Sequence, residues 1–113
     1  ETTNLLDVKR LGLMKPGAGL VNIGRAGVVD YDALVDRLTT GAIGGAILDV
    51  FDPEPLPPES GLWSVPNLVI TPHVSADDGN AYISLTLDVF FNNMRRLING
   101  EALENQVNTA LGY

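Results

Sequence analysis

The chain has 113 residues, room for one domain at most. It carries 7 Lys and Arg against 14 Asp and Glu, and a net charge of −7 argues against nucleic acid or an anionic membrane as main partner, since both demand clustered positive charge. No cysteine is present, which excludes disulfides, thiolate catalysis and cysteine-type zinc sites, while 45% hydrophobic residues suffice for a core.

Leu5, Leu6, Val8 and Leu11 stand at helical spacing, and Lys15-Pro16-Gly17 stops that element. Gly19-Leu20-Val21-Asn22-Ile23 is a short apolar run bounded by glycines, read as a buried strand. Asp30 is a good N-cap for a helix from about Tyr31 to Thr40, closed by Gly41. A second strand is expected at Ala46-Ile47-Leu48-Asp49-Val50. The four prolines between Asp52 and Pro58 make that stretch a loop. A third strand is expected at Leu68-Val69-Ile70-Thr71, ended by Pro72-His73. Ser75 is placed to cap the last helix, with Asp77 and Asp78 in its first turn where the dipole favours anions. Ile83, Leu87, Phe90, Met94 and Leu97 then form an apolar stripe, on a helix of about 22 residues spanning roughly 33 Å. The stripe reads as core or as a seam for a partner. No apolar run approaches the ~18 residues of a spanning helix. No signal peptide is visible, and a cytoplasmic setting is expected.

Helices alternating with short apolar strands are the α/β pattern. Strands apolar throughout suit a parallel sheet covered on both faces. Three strands are few, so the chain reads as half of a doubly wound, Rossmann-like domain with a long C-terminal helix. Residues 1–98 would form that partial domain, and residues 99–113 a C-terminal tail.

Ligands of open parallel sheets bind outside the carboxyl ends of the strands. Gly24-Arg25 follows the first expected strand. Asp49 ends the second, with Glu54 five residues on, and the third ends at Thr71-Pro72-His73. One Arg, two acids and the sole histidine thus fall on one rim. Arg offers a planar fork for a carboxylate, and His moves a proton near neutral pH. Such a set suits a substrate with a carboxylate beside a group that gains or loses a proton. Taken singly, each residue also has a structural reading. Arg25 could satisfy carbonyls at a turn, Asp49 could cap loop backbone, Glu54 could be surface charge and His73 a satisfied structural histidine. Their coincidence on one rim favours the functional reading.

Four ordered blocks carry a resemblance. They are Met14-Lys15-Pro16-Gly17-Ala18 with Leu20-Val21-Asn22-Ile23-Gly24-Arg25-Ala26-Gly27-Val28-Val29-Asp30; Gly45-Ala46-Ile47-Leu48-Asp49-Val50-Phe51 running into Glu54-Pro55-Leu56-Pro57; Leu62-Trp63; and Pro66-Asn67-Leu68-Val69-Ile70-Thr71-Pro72-His73. Together they resemble the D-isomer-specific 2-hydroxyacid dehydrogenases, densely from Glu1 to Ala76 and loosely over the last helix. The resemblance implies an NAD-dependent oxidoreductase, with NADP also possible as cofactor, interconverting 2-oxo acids and D-2-hydroxy acids. It implies that Arg25 grips the substrate carboxylate and polarises its carbonyl, that His73 is the acid/base and that Glu54 pairs with it. Asp49 would hold the nicotinamide carboxamide, and Ile23, Gly24, Arg25 and the run His73, Val74, Ser75 and Ala76 would line the cofactor. No metal is implied. A Glu at position 54 argues against the formate dehydrogenase branch, which uses Gln there.

The family's Gly-rich G-x-G-x-x-G turn, which cradles the pyrophosphate, does not occur in the chain, nor does the family's separate substrate domain. Glu1 resembles a point well inside the cofactor domain, and the last helix and tail resemble the segment that packs back onto the substrate lobe. The 113 residues are therefore expected to be inactive alone and active within a complete, homodimeric enzyme. Two other readings stay open: a non-enzymatic, NAD-responsive assembly module like the C-terminal-binding-protein corepressors, and an inactive remnant.

Overall fold

The structure is a computed structural model that describes residues 2–111. It forms two compact units, residues 1–76 and residues 77–113.

The first unit is built on a three-stranded parallel sheet in the order β1-β2-β3, with β1 at Gly19–Asn22, β2 at Gly45–Leu48 and β3 at Leu68–Ile70. The pairing puts Leu20 beside Ala46 and Ala46 beside Leu68, and Asn22 beside Leu48 and Leu48 beside Ile70. These rows face the core, as the period of two along a strand requires. The alternate row, Val21, Ile47 and Val69, is exposed. All-apolar strands suggested cover on both faces; the described residues cover one, and the strands alternate between buried and exposed positions.

Two helices supply the cover. Helix α1, Val8–Gly12, is capped by the Asp7 side chain, which accepts from the Arg10 N–H, and buries Leu11. It is shorter than the spacing of Leu5 and Leu6 suggested. Leu6 is instead extended and bridges Val29 in parallel, giving its carbonyl to the Asp30 N–H and taking the Val28 carbonyl on its own N–H. Helix α2, Tyr31–Thr39, starts where expected. The Asp30 carboxylate accepts from the Ala33 N–H at 3.0 Å, filling one of the donors a helix start leaves open. Its buried face of Ala33, Leu34 and Leu38 packs in one cluster with Leu11, Leu20, Ile43, Ala46, Leu48 and Phe51. Gly44 admits no side chain: a Cβ would meet the Gly17 carbonyl oxygen at 2.6 Å.

The expected loop from Asp52 to Pro58 is irregular throughout. A short 3-10 turn, Gly61–Ser64, follows it. The Trp63 indole N–H donates to the Pro57 carbonyl at 2.9 Å and ties the turn to the proline loop.

The second unit holds helix α3, Tyr82–Ile98, of 17 residues. It is shorter than the stripe suggested, and Ser75 does not cap it. The Ser75 N–H is bound elsewhere, and Asp78 accepts from the Asn80 and Ala81 N–H groups before the helix begins. After Asn99-Gly100 the chain folds back along α3. Asn93 exchanges hydrogen bonds with the Glu104 backbone, and the Arg96 guanidinium binds the Ala102 carbonyl and both Glu101 and Glu104. No helix among the described residues is long and apolar enough to cross a membrane.

Candidate active site at the carboxyl edge of the sheet

Three chain segments leave the carboxyl ends of the strands on one edge of the first unit. Two buried polar side chains, Asn22 and Asp49, shape them.

After β1, Asn22 shapes the turn. It is only 7% exposed, and it ends a strand whose other core-facing residue is Leu20. Its Oδ1 accepts from the Gly24 N–H at 3.2 Å, and its Nδ2 donates to the Arg25 carbonyl and to the Tyr31 hydroxyl, both at 3.1 Å. The Tyr31 hydroxyl donates onward to the Val50 carbonyl at 2.7 Å, so α2, β1 and β2 are joined at this edge. Burial pushes the Tyr31 phenol up from its ordinary value, against the Asn22 hydrogen bond. The turn leaves Ile23, Gly24 and Arg25 exposed. The Arg25 guanidinium donates to the Gly24 carbonyl at 2.8 Å, so its side chain stays at the edge with donors to spare.

After β2, Asp49 is fully buried. Its Oδ1 accepts from the Thr71 hydroxyl at 2.6 Å and the Val74 N–H at 2.9 Å, and its Oδ2 accepts from the Ser75 N–H at 2.9 Å. The Thr71 hydrogen bond leads in holding this carboxyl well below the usual carboxylate range. The bonds from Ser75 and Val74 add to it, and burial opposes them. A buried carboxylate with these donors around it stays ionised.

The third segment brings histidine and glutamate together. His73 Nδ1 lies 2.8 Å from Glu54 Oε2, and Glu54 Oε1 accepts from the Phe51 N–H at 2.8 Å. The pair is half-exposed, with 46% of the His73 side chain and 35% of the Glu54 side chain open to solvent. Glu54 is held below its ordinary value, first by the hydrogen bond from His73, then by the Phe51 N–H, with a small further pull from the Arg25 charge. His73 takes a left-handed backbone, φ +57°, which side-chain-bearing residues rarely adopt. The pair borders a cleft of about 530 Å³, walled by Phe51, Leu56, Trp63 and Ile70.

Of the residues singled out from sequence, His73 and Glu54 are in direct contact. Arg25 stands at the same edge and bonds neither of them. Ile23 and Gly24 are exposed beside it, and Val74, Ser75 and Ala76 are exposed on the turn after β3. Asn22, Tyr31 and Thr71 escaped the sequence reading although they shape this edge. Their signal was a polar group at the end of an apolar run, or one opening a helix.

The model for the NAD binding domain of D-isomer specific 2-hydroxyacid dehydrogenases matches residues 1–75. Glyoxylate/hydroxypyruvate reductase B of Pectobacterium carotovorum subsp. carotovorum is 46% identical over 109 residues, which are 96% of the chain and 33% of that reductase. D-3-phosphoglycerate dehydrogenase of Synechocystis is 44% identical over 89 residues, 79% of the chain and 16% of that enzyme. A crystal structure of a D-isomer specific 2-hydroxyacid dehydrogenase from Xanthobacter autotrophicus Py2, in complex with NADPH and MES, matches with a TM-score of 0.84 and 38% identity, over 99% of the chain and 45% of that structure's chain. The chain spans about a third of the length of the reductase. On the family match over its first 75 residues and the likeness in fold, the chain belongs to the D-isomer-specific 2-hydroxyacid dehydrogenase family, in its NAD-binding domain.

Proposed function

We propose that the protein carrying this chain is an NAD(P)-dependent dehydrogenase that interconverts short 2-oxo acids, such as glyoxylate and hydroxypyruvate, with their 2-hydroxy acids, of D configuration where C2 is a stereocentre. The carrying observation is the 2.8 Å contact between His73 and Glu54 at the carboxyl edge of a parallel sheet, with Arg25 on the same edge. Arg25 binds the substrate carboxylate through its planar fork and polarises the adjacent carbonyl. Glu54 takes the Nδ1 side of the imidazole, which leaves Nε2 to give a proton to the substrate oxygen in reduction and to remove it in oxidation. When bound, the nicotinamide supplies or accepts the hydride at the substrate carbon.

The chemistry of the edge suits that cofactor. Exposed Ile23 and Val74 offer apolar surface for a ring, and the backbone at Gly24 and from His73 to Ala76 offers polar groups beside it. Asp49 is fully buried, so we assign it to the cofactor site through the Val74 and Ser75 backbone that it holds. The same reading includes a homodimeric, cytoplasmic enzyme without nucleic acid or membrane partner, in which residues 99–113 pack on a substrate lobe.

The test is an assay of the complete protein with NADH and NADPH against glyoxylate and hydroxypyruvate. Wild-type turnover is expected. His73→Ala should lower kcat/KM about 100-fold or more, and Arg25→Ala should act on both KM and kcat because it binds and polarises. A wild-type protein that oxidises neither cofactor, or a His73→Ala variant with near-normal rates, would sink the assignment.

A further inference from the structure

We propose that Thr71 is a positioning residue for the His73–Glu54 pair, acting through the buried Asp49 carboxylate. The proposal rests on the reading of that pair as the acid/base. The turn after β3 is held on both sides of His73. The Thr71 N–H continues the sheet ladder to the Leu48 carbonyl at 3.0 Å, and the Asp49 N–H does the same to the Asn22 carbonyl. From that base the Thr71 hydroxyl donates to Asp49 Oδ1 on one side of His73, and the Val74 and Ser75 N–H groups donate to the same carboxylate on the other. His73 is the residue between these anchors, and it is the one in the left-handed region. An isolated turn would relax such a conformation, so it persists only where the surroundings over-determine it.

The Thr71 hydroxyl and the Val74 and Ser75 N–H groups hold the Asp49 carboxylate, and the residue has no exposed surface through which water could replace one. An ionised carboxylate only accepts, so the Thr71 hydroxyl must donate. Removing that hydroxyl leaves a buried charge short of a donor. The turn must then open to admit water, or the carboxyl must take a proton and loosen its hold on the two amides. Either response moves His73 away from Glu54 Oε2.

The variants Thr71→Val and Thr71→Ser in the complete protein test this. Thr71→Val keeps the shape and removes the hydroxyl. It should lower kcat about tenfold or more while KM for the 2-oxo acid stays within about threefold, since a misplaced acid/base costs rate rather than binding. The Glu54 carboxyl, followed by NMR, should titrate closer to its ordinary value, because His73 is the first cause of its depression. Amide exchange at Val74 and Ser75 should speed up about tenfold or more. Thr71→Ser should recover all three. A Thr71→Val protein with wild-type kcat, Glu54 titration and amide exchange overturns the proposal, and so does a Thr71→Ser protein that fails as the valine variant fails. If the valine variant does not fold, amide exchange in the wild type decides: Val74 and Ser75 amides as fast as exposed ones mean that no clasp exists. Slow amides in a wild type that turns over no 2-oxo acid overturn the functional reading and leave Thr71 a purely structural residue. Fast amides in an active wild type overturn the positioning role alone.

Discussion

His73 and Glu54 were legible from their residue types and from their places after expected strand ends, because few side chains serve proton transfer and one histidine occurs in the chain. Asp49 was legible as an acid on the edge able to cap loop backbone, but which backbone it holds was not. Its partners Thr71, Val74 and Ser75 lie 22 to 26 residues away. Only the register of β2 against β3 brings them within reach, and it then buries the carboxylate completely. These hydrogen bonds set a pH dependence. Asp49 and Glu54 are both held below their ordinary values, 3.8 and 4.5, so the folded chain binds fewer protons than the unfolded one in that range. Their contribution to stability is fully present above about pH 4.5 and is lost as pH falls toward the depressed values. Thermal unfolding followed from neutral pH downward should show a midpoint that falls in this acid range. Asp49→Asn should lower the midpoint at neutral pH and flatten the acid limb. A limb of unchanged steepness would contradict the role given to this carboxylate.

Among the elements, α2 was the most readable, because its signals are local. Asp30 caps it through a residue three positions on, and Gly41, with φ +69°, follows its end. Asp30→Ala should cost about 1 kcal/mol in denaturant unfolding, the usual loss for such a cap. Gly44 carries a different constraint, set by the approach of Gly17 from a distant loop. Gly44→Ala should destabilise the chain measurably, whereas Gly27→Ala, where a new Cβ meets nothing within 4 Å, should shift the unfolding midpoint little. Equal effects of the two alanines would refute the packing argument. Helix α1 and the start of α3 were misread for one reason: apolar or capping residues at helical spacing say nothing of competing partners. Leu6 finds the Val29 strand edge, and the Ser75 amide finds Asp49. Those long-range bonds take both residues out of the helices that their spacing suggested.

At the scale of the whole molecule, much apolar surface is open. Ile83, Leu97 and Ile98 are 72%, 67% and 80% exposed on α3, and Val21 and Val69 are more than half exposed on the sheet. Exposed apolar surface on this scale drives association. Sedimentation of the 113-residue chain should therefore show an average mass that rises with concentration, and Ile83→Glu with Leu97→Glu should lower it. A chain that stays monomeric at every concentration would refute this. By itself the sequence determined the order of helices and strands, the cap at Asp30, the acidic surface and the family, since each depends on neighbours in the chain or on ordered motifs. Tertiary structure alone decided that Asp49 is buried, that Thr71 and Asn22 shape the edge, that His73 is left-handed and that alternate strand residues face outward. Those features depend on which strands pair and in what register, and no local spacing encodes that.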